Sequence, residues 1–387
     1  MRKVRVAINA LTELTSRYGP RVYLMGLVRE LAKYESIELI LLVGKGETRL
    51  LPEELRSSAR EIGISARKSF LQIFCQAQIR AALATERIDV YHVPNTVPLW
   101  RFVPTVVTIH DLTELRVRKY SCVRTLYRFL VNYAAARFAD HVLTVSENSK
   151  RDIFELLDVP ADKISVTYAG VGAPFRVRNR AECLRYVSAA YGIGTDFVLA
   201  PGGLSGNKNL ENLFRAVKAL HASGVRLPLV LTGFGDREEN RGVQALIRRF
   251  GLSESVTLTG YVEDDEMPLL YGACAVVLYP SLYEGFGLPA VEAMASGAPL
   301  VASNTSSLAE VVGDAGILVD PEDPMAIADA VQRLLSNPKE RQRRVNLGLK
   351  RAELFRWREV AAKTLEVYRE VGRGGAAQQP WHPSMLR

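Results

Sequence analysis

The sequence predicts an α/β fold built from two doubly wound parallel-sheet domains, and three observations carry that prediction. Short apolar runs alternate with longer amphipathic stretches along most of the chain. That is the pattern of βαβ units whose strands are covered by helices on both faces. The alternation occurs as two series, separated by a stretch at 172–195 that holds Gly172-Ala173-Pro174, a charged helical piece and Tyr191-Gly192-Ile193-Gly194. At 387 residues the chain is long enough for two domains with cores of their own.

In the first half the strand-like runs are Val4–Ile8, Ile37–Val43, Val90–Val93, Val106–Ile109, Val142–Val145 and Ile164–Val166. Helical stretches between them include Val22–Lys33, Cys122–Ala139 and Glu147–Leu157, the last with Ser146 placed as an N-cap. The second series runs Phe197–Ala200, Leu229–Thr232, Val256–Leu258, Ala275–Tyr279, Leu300–Ala302 and Ile317–Val319. Pro324 to Val371 reads as helical, and the Gly-, Pro- and Gln-rich residues beyond Gly372 read as disordered. The expected division is therefore a first domain at 1–175, a linker at 176–195, a second domain at 196–355, a terminal helix at 356–372 and a tail at 373–387. Open sheets of this kind bind ligands beyond the carboxyl ends of their strands, so two such halves imply a cleft lined by their loops.

Composition narrows the class. The four cysteines, Cys75, Cys122, Cys183 and Cys274, lie far apart with no CxxC pair, which argues against a metal site or disulfide framework and fits a reducing cytoplasm. No apolar run approaches the roughly 18 residues that span a bilayer, and Met1-Arg2-Lys3 leads straight into a short strand-like run. A soluble cytoplasmic protein is expected. Seven of the eight formal net positive charges fall in residues 1–175. A basic half suits nucleic acid, an anionic membrane surface or a phosphate-bearing acceptor, or is merely a solvated surface.

The most informative stretch is Tyr279–Glu292, YPSLYEGFGLPAVE. It reads as a strand end, a turn through Glu284-Gly285-Phe286-Gly287, and a helix opening near Leu288-Pro289, where proline costs no amide bond. Glycines let a ligand approach the backbone, and the free amides of a helix start attract phosphate oxygens. Glu284 and Glu292, eight positions apart, bracket that turn. Two acids around an anion-binding turn suit a ligand carrying both phosphates and hydroxyls. An isolated acid pair of this spacing would equally well cap and solvate a buried strand-turn-helix.

Other loops carry weaker signals. Gly202-Gly203-Leu204-Ser205-Gly206-Asn207-Lys208 is glycine-rich with a lysine at a helix entry, and Gly233-Phe234-Gly235 and Gly260-Tyr261-Val262 are turns after later strands. In the first half, Tyr18-Gly19-Pro20 follows strand one and His110 stands in TIHDL at the end of another strand. Ser146 lies in TVSENSK, where capping alone explains it. The basic and aromatic run Arg116, Arg118, Lys119, Tyr120, Arg124, Tyr127, Arg128 places Arg124 and Arg128 on one helical face, which by default is solvated.

The string from Tyr279, continued through 293–320 (AMASGAPLVASNTSSLAEVVGDAGILVD), closely resembles the signature of retaining glycosyltransferases of the GT-B fold. These form the large group 1, or family four, set that includes bacterial mannosyl- and glucosyltransferases. The resemblance implies two Rossmann-like domains facing across a cleft, with the terminal helix crossing back to the first. It assigns Glu284 and His110 to the transferred sugar and Glu292 to the ribose hydroxyls. Lys208, Gly203, Gly233, Gly19 and the turn Gly285, Phe286, Gly287 and Leu288 fall to the donor diphosphate and nucleotide. The chain departs from the pattern in three places: it lacks the usual double glycine at Gly19, has Gly203 where many members carry arginine, and has Asn207 where Arg or Glu is frequent. Fewer cations would then neutralise the leaving group.

The implied partners are a nucleotide-diphospho sugar and a glycan or lipid-linked acceptor of bacterial polysaccharide or lipopolysaccharide synthesis, with neither metal nor cofactor. GDP-mannose is favoured over UDP-glucose and UDP-N-acetylglucosamine as donor. Arg116, Arg118, Lys119, Arg124 and Arg128 become an acceptor-side or membrane-side surface at the inner face of the cell membrane. Two rival readings stay open: a sugar-nucleotide epimerase of the same fold, and a non-catalytic basic membrane- or nucleic-acid-binding protein, for which no nucleic-acid motif is visible.

Overall fold

A computed structural model describes residues 2–11, 19–45, 53–56, 58–65, 72–94, 102–117, 122–233 and 237–375. They form two compact units. The first takes the chain up to Leu112, residues 122–170 and everything described from Trp357 on. The second runs from Val171 to Arg356 and takes in residues 113–117.

The strands of the first unit are β1 (Val4–Asn9), β2 (Ile37–Gly44), β3 (Ala59–Ile64), β4 (Val90–Pro94), β5 (Thr105–Thr108), β6 (His141–Thr144) and β7 (Ile164–Val166). They pair in parallel in the order β3-β2-β1-β4-β5-β6-β7, so the order reverses between β1 and β4. Buried on both faces, β2 reads IELILLVG with seven of its eight residues buried. The edge strand β3, AREIGI, is the one strand of this sheet absent from the expectation above. Its interior residues are only partly covered, so charge replaces the apolar run.

Helices in this stretch are α1 (Gly19–Leu31), α2 (Glu53–Arg56), α3 (Gln72–Thr85), α4 (Thr113–Arg116), α5 (Cys122–Phe138) and α6 (Glu147–Leu157). Ser146 caps α6 as expected: its hydroxyl accepts the Ser149 amide at 2.9 Å.

The second unit holds α7 (Arg180–Tyr191), β8 (Val198–Ala200), α8 (Leu210–Ala222), β9 (Leu229–Leu231), α9 (Arg237–Phe250), β10 (Val256–Leu258), α10 (Met267–Ala273), β11 (Val276–Tyr279), α11 (Leu288–Ala295), β12 (Leu300–Ser303), α12 (Ser306–Val312), β13 (Ile317–Val319), α13 (Pro324–Ser336) and α14 (Pro338–Ala352). Its six parallel strands run β10-β9-β8-β11-β12-β13, reversing between β8 and β11. The core packs Phe214, Val217 and Leu220 of α8 against sheet residues such as Leu229, Leu278 and Val301 and against Ile327 and Val331 of α13.

Two expectations change here. Residues 176–195, read as a linker, contain α7, capped by Asn179 and ended by Gly192 at φ 71° and packed against α10 inside the second unit. Only two residues of α7, Cys183 and Val187, are buried, so its apolar stripe is too thin to stand out among its charges. The single helical reach from Pro324 is three helices, broken at Asn337-Pro338 and again before Trp357. The last of them, α15 (Trp357–Gly375), belongs to the first unit, where it packs along α1 and touches β1, β4, β5 and β6. The expected return of the terminal helix to the first domain is therefore present. The tail beyond residue 375 lies outside the described residues.

Candidate active site

In the second unit the strand order reverses between β8 and β11, the position where an open α/β sheet presents two diverging loops to a ligand. The loop after β8 carries Gly202 to Lys208, and the loop after β11 carries Pro280 to Gly287. Three contacts fasten them together. The Leu282 amide donates to the Asn207 carbonyl at 2.8 Å, Asn207 Nδ2 to the Tyr283 carbonyl at 3.1 Å, and Asn209 Nδ2 to the Pro280 carbonyl at 3.0 Å. Asn207, a departure from the family's frequent charged residue, thus serves here as a buried fastener.

This lacing brings Lys208 and Glu284 together. Lys208 Nζ lies 2.8 Å from Glu284 Oε1 and 3.0 Å from the Tyr279 hydroxyl, and the Lys208 and Glu284 side chains are each 13% exposed. Burial alone would lower the Lys208 pKa, but the Glu284 charge and Tyr279 reverse that and hold the ammonium above its ordinary range. Burial, then the Glu284 charge, pushes the Tyr279 hydroxyl upward, so it stays protonated. Ser306 Oγ accepts the Glu284 amide at 3.0 Å and Ser307 Oγ donates to the Glu284 carbonyl at 2.9 Å, which fixes the backbone beneath that carboxylate.

The turn then swings into α11 through Gly287, whose φ of 96° suits glycine. Leu288 and Pro289 open the helix with no side-chain cap; Pro289 has no amide hydrogen to leave unpaired, and the Ala290 amide donates to the Gly287 carbonyl at 2.9 Å. Phe286 buries its ring edge-on against Phe355, centroids 5.4 Å apart. Glu292 sits one turn into α11, where Tyr271 Oη donates to Oε2 at 3.0 Å. Burial pushes the Glu292 carboxyl up to about 7, against the opposing Tyr271 hydrogen bond and with help from the Asp264 charge.

Gly203 and Gly233 also meet in this region, for a packing reason. A Cβ on Gly233 would collide with the Gly203 backbone, and the Gly203 amide donates to the Thr232 carbonyl at 3.0 Å. The two turns nest because Gly233 carries no side chain, whereas Gly203 has open space beside it and suits glycine through its φ of 92°. Phe234 and Gly235 lie outside the described residues.

In the first unit, β5 ends at Thr108 and delivers His110 two residues on. The ring of Tyr23, one turn into α1 from Gly19, packs edge-on against the imidazole with centroids 4.7 Å apart. His110 Nε2 is buried with no hydrogen-bond partner. Burial lowers the His110 pKa to about 4, partly offset by Asp111, so the ring is neutral at pH 7. Gly19 is exposed at the start of α1. Arg124 and Arg128 lie on α5 and Arg116 ends α4, whereas Arg118 and Lys119 fall outside the described residues. Among the described residues no cluster of three or more His, Cys, Asp or Glu side chains is arranged to hold a metal ion. No helix among them is long and apolar enough to cross a membrane.

The sequence motifs singled out Lys208, Glu284 and Glu292 but gave no supporting role to Tyr271, Asn209, Tyr279 or Asn207, the last two noted only as a strand end and as a departure from the family pattern. Their partners lie 21 to 112 residues away, beyond the reach of any local pattern.

The second unit thus gathers a cation and two carboxylates around a helix start at its strand-order reversal. Residues 192–351 match the model "Glycosyl transferases group 1" and residues 18–173 match "Glycosyltransferase Family 4". The chain belongs to this glycosyltransferase family. It is 34% identical over 292 residues to an O-antigen chain mannosyltransferase B of Escherichia coli, covering 74% of this chain and 76% of that protein. It is 34% identical over 289 residues to an MMP alpha-(1->4)-mannosyltransferase of Mycolicibacterium hassiacum, covering 69% and 66%. Among solved structures, Anabaena HepE in complex with UDP and glucose superposes with a TM-score of 0.76 at 20% identity, covering 95% of this chain and all of that one.

Proposed function

We propose that the enzyme moves mannose from GDP-mannose to a glycan or lipid-linked acceptor of O-antigen or related polysaccharide synthesis, with retention of configuration. The observation that carries the reading is the Lys208–Glu284 pair beside an uncapped helix start at the strand-order reversal. Such a site offers a positive charge and the N-terminal end of a helix to a diphosphate and a carboxylate to sugar hydroxyls. The choice of mannose rests on what the two sequence relatives are named for.

In this reading the donor diphosphate takes Lys208 Nζ and lies at the start of α11, at Gly287 and Leu288. Glu292 accepts from the ribose hydroxyls, while Glu284 and neutral His110 contact the mannose. The bond between the anomeric carbon and the diphosphate breaks with its electron pair leaving on the nucleotide, a charge that Lys208 stabilises. The acceptor hydroxyl adds to the same face and its proton passes to the departing phosphate oxygen, so no protein nucleophile takes part. The proposal includes no metal, and turnover should survive EDTA.

A membrane-facing role for the first unit has support from α5. Val123, Leu126, Tyr127, Leu130 and Tyr133 recur at helical spacing and are all exposed, Val123 at 80%. Arg124, Arg128 and Arg137 lie on the same helix. An apolar stripe edged by arginine suits the interface of an anionic bilayer.

The experiment is a thermal-shift screen against sugar nucleotides followed by product analysis. GDP-mannose should raise Tm most and be consumed only when acceptor is present, the product keeping the donor's anomeric configuration. Conversion of the donor to a second sugar nucleotide without acceptor would instead indicate an epimerase.

A further inference from the structure

Trp357 begins α15 at the point where the chain returns from the second unit to the first. Its indole is 8% exposed and fills a socket shaped for it. A Cβ on Gly26 of α1 would run into the indole ring, and one on Gly170 would come within 2.6 Å of it. Two separate segments therefore dispense with side chains to admit one indole. Packing densities in protein interiors leave little slack around such a group.

The indole in turn braces Tyr23. Their rings meet edge-on at 5.8 Å, and on its other side Tyr23 meets the imidazole of His110 edge-on at 4.7 Å. Tyr23 is 2% exposed. Further along, α15 is tied to the same strands. The Tyr368 hydroxyl is 2.6 Å from His92 Nδ1, and His92 Nε2 is 2.7 Å from Thr108 Oγ1, two residues ahead of His110. A hydrogen bond at one end and an indole at the other fix the helix that carries Trp357. His110 itself has no side-chain hydrogen bond at Nε2, so packing must set its ring orientation.

We propose that Trp357 is a positioning residue for His110, acting through Tyr23. This deepens the functional reading above and rests on it for the catalytic consequence, because a loosened imidazole matters only if His110 contacts the sugar. Edge-on aromatic pairs are directional, so each ring limits the orientations open to the next. Loss of the indole frees Tyr23 to tilt, and the imidazole follows.

The test compares Trp357→Leu and Trp357→Phe with Tyr23→Leu and His110→Ala. The His110 ring resonances, assigned by their loss in His110→Ala, are displaced by the ring current of Tyr23. Trp357→Leu should move them towards the position seen in Tyr23→Leu, and Trp357→Phe should restore them in large part. In turnover, Trp357→Leu should lower kcat about tenfold with donor KM within twofold, the split expected when a group that acts on the sugar in the transition state is misplaced and the nucleotide contacts are unchanged. A lowered Tm with unchanged His110 resonances and unchanged kcat overturns the proposal and leaves Trp357 as packing alone. If the resonances move but His110→Ala keeps wild-type kcat, the positioning stands and the catalytic assignment of His110 falls. Should Trp357→Leu not fold, Trp357→Met takes its place in the same comparison, and unmoved His110 resonances in that variant defeat the idea.

Discussion

Lys208 and Glu284, 76 residues apart in sequence, form a 2.8 Å ion pair at the strand-order reversal of the second unit. The pair is mostly buried, and Tyr279 and Asn207 fill in around it. Its consequence is competition: an incoming diphosphate must share or displace the carboxylate that already holds the ammonium.

Glu284→Gln should therefore separate binding from turnover. Without the competing charge, Lys208 is freer to meet a diphosphate, so the Kd of free nucleoside diphosphate should be unchanged or tighter. Turnover should fall by about 10²-fold if the carboxylate steadies the sugar in the transition state. Titration calorimetry and initial rates check this. A weakened nucleotide Kd at unchanged kcat would place Glu284 on the wrong part of the donor.

Glu292→Gln should trade binding for stability. Burial raises the Glu292 carboxyl from 4.5 to about 7. The sign follows from linkage: an acid whose folded pKa is raised stabilises the fold fully below its unfolded value and loses that contribution as pH rises through the folded one. Glutamine removes that loss, so the variant's Tm should match wild type near pH 4.5 and exceed it increasingly towards pH 8. Ribose hydroxyls bond better to the ionised carboxylate, so wild-type affinity for an intact sugar nucleotide should improve as pH rises through about 7 and the variant's should stay flat and weaker. Parallel pH profiles in the two proteins would remove the assignment.

Membrane association should depend both on the basic residues of α4 and α5 and on the apolar stripe of α5. Each basic residue near an anionic surface contributes roughly 1 kcal/mol, within a Debye length of about 8 Å at physiological salt. Arg116→Glu, Arg124→Glu and Arg128→Glu together should release the protein from anionic vesicles at moderate salt. Leu126→Gln with Leu130→Gln should weaken binding at every salt concentration, because the lost term is apolar burial. Failure of the wild type to co-sediment at low salt would leave α5 as an exposed face without this role.

How much of this was legible in the sequence follows from range. Parallel strands buried on both faces leave continuous apolar runs, and the expected strands of both units lie within about a residue of the observed ones. The Tyr279–Glu292 motif is local, so it could be read directly as strand, turn and helix. Edge strand β3 was missed because partial exposure lets charge break the pattern, and α7, legible as a charged helical piece, was assigned to the linker because its thin buried stripe gives no sign of a packing partner. The fasteners around the site were illegible for a different reason. Nothing near Asn207 says that its amide will reach the Tyr283 carbonyl, and nothing near Gly26 or Gly170 announces the indole of Trp357.

The central claim, a diphosphate held by Lys208, is tested most directly by calorimetric titration of GDP-mannose into wild type and Lys208→Ala. Removing one member of a buried pair leaves Glu284 without its main partner, so the variant should melt earlier, and the titration belongs well below its Tm. A charge-assisted contact contributes about 1.5–3 kcal/mol. The account predicts that GDP-mannose binds the variant about 10- to 100-fold more weakly, with kcat/KM falling at least as far. A folded Lys208→Ala protein whose Kd and kcat/KM both stay within twofold of wild type would contradict it.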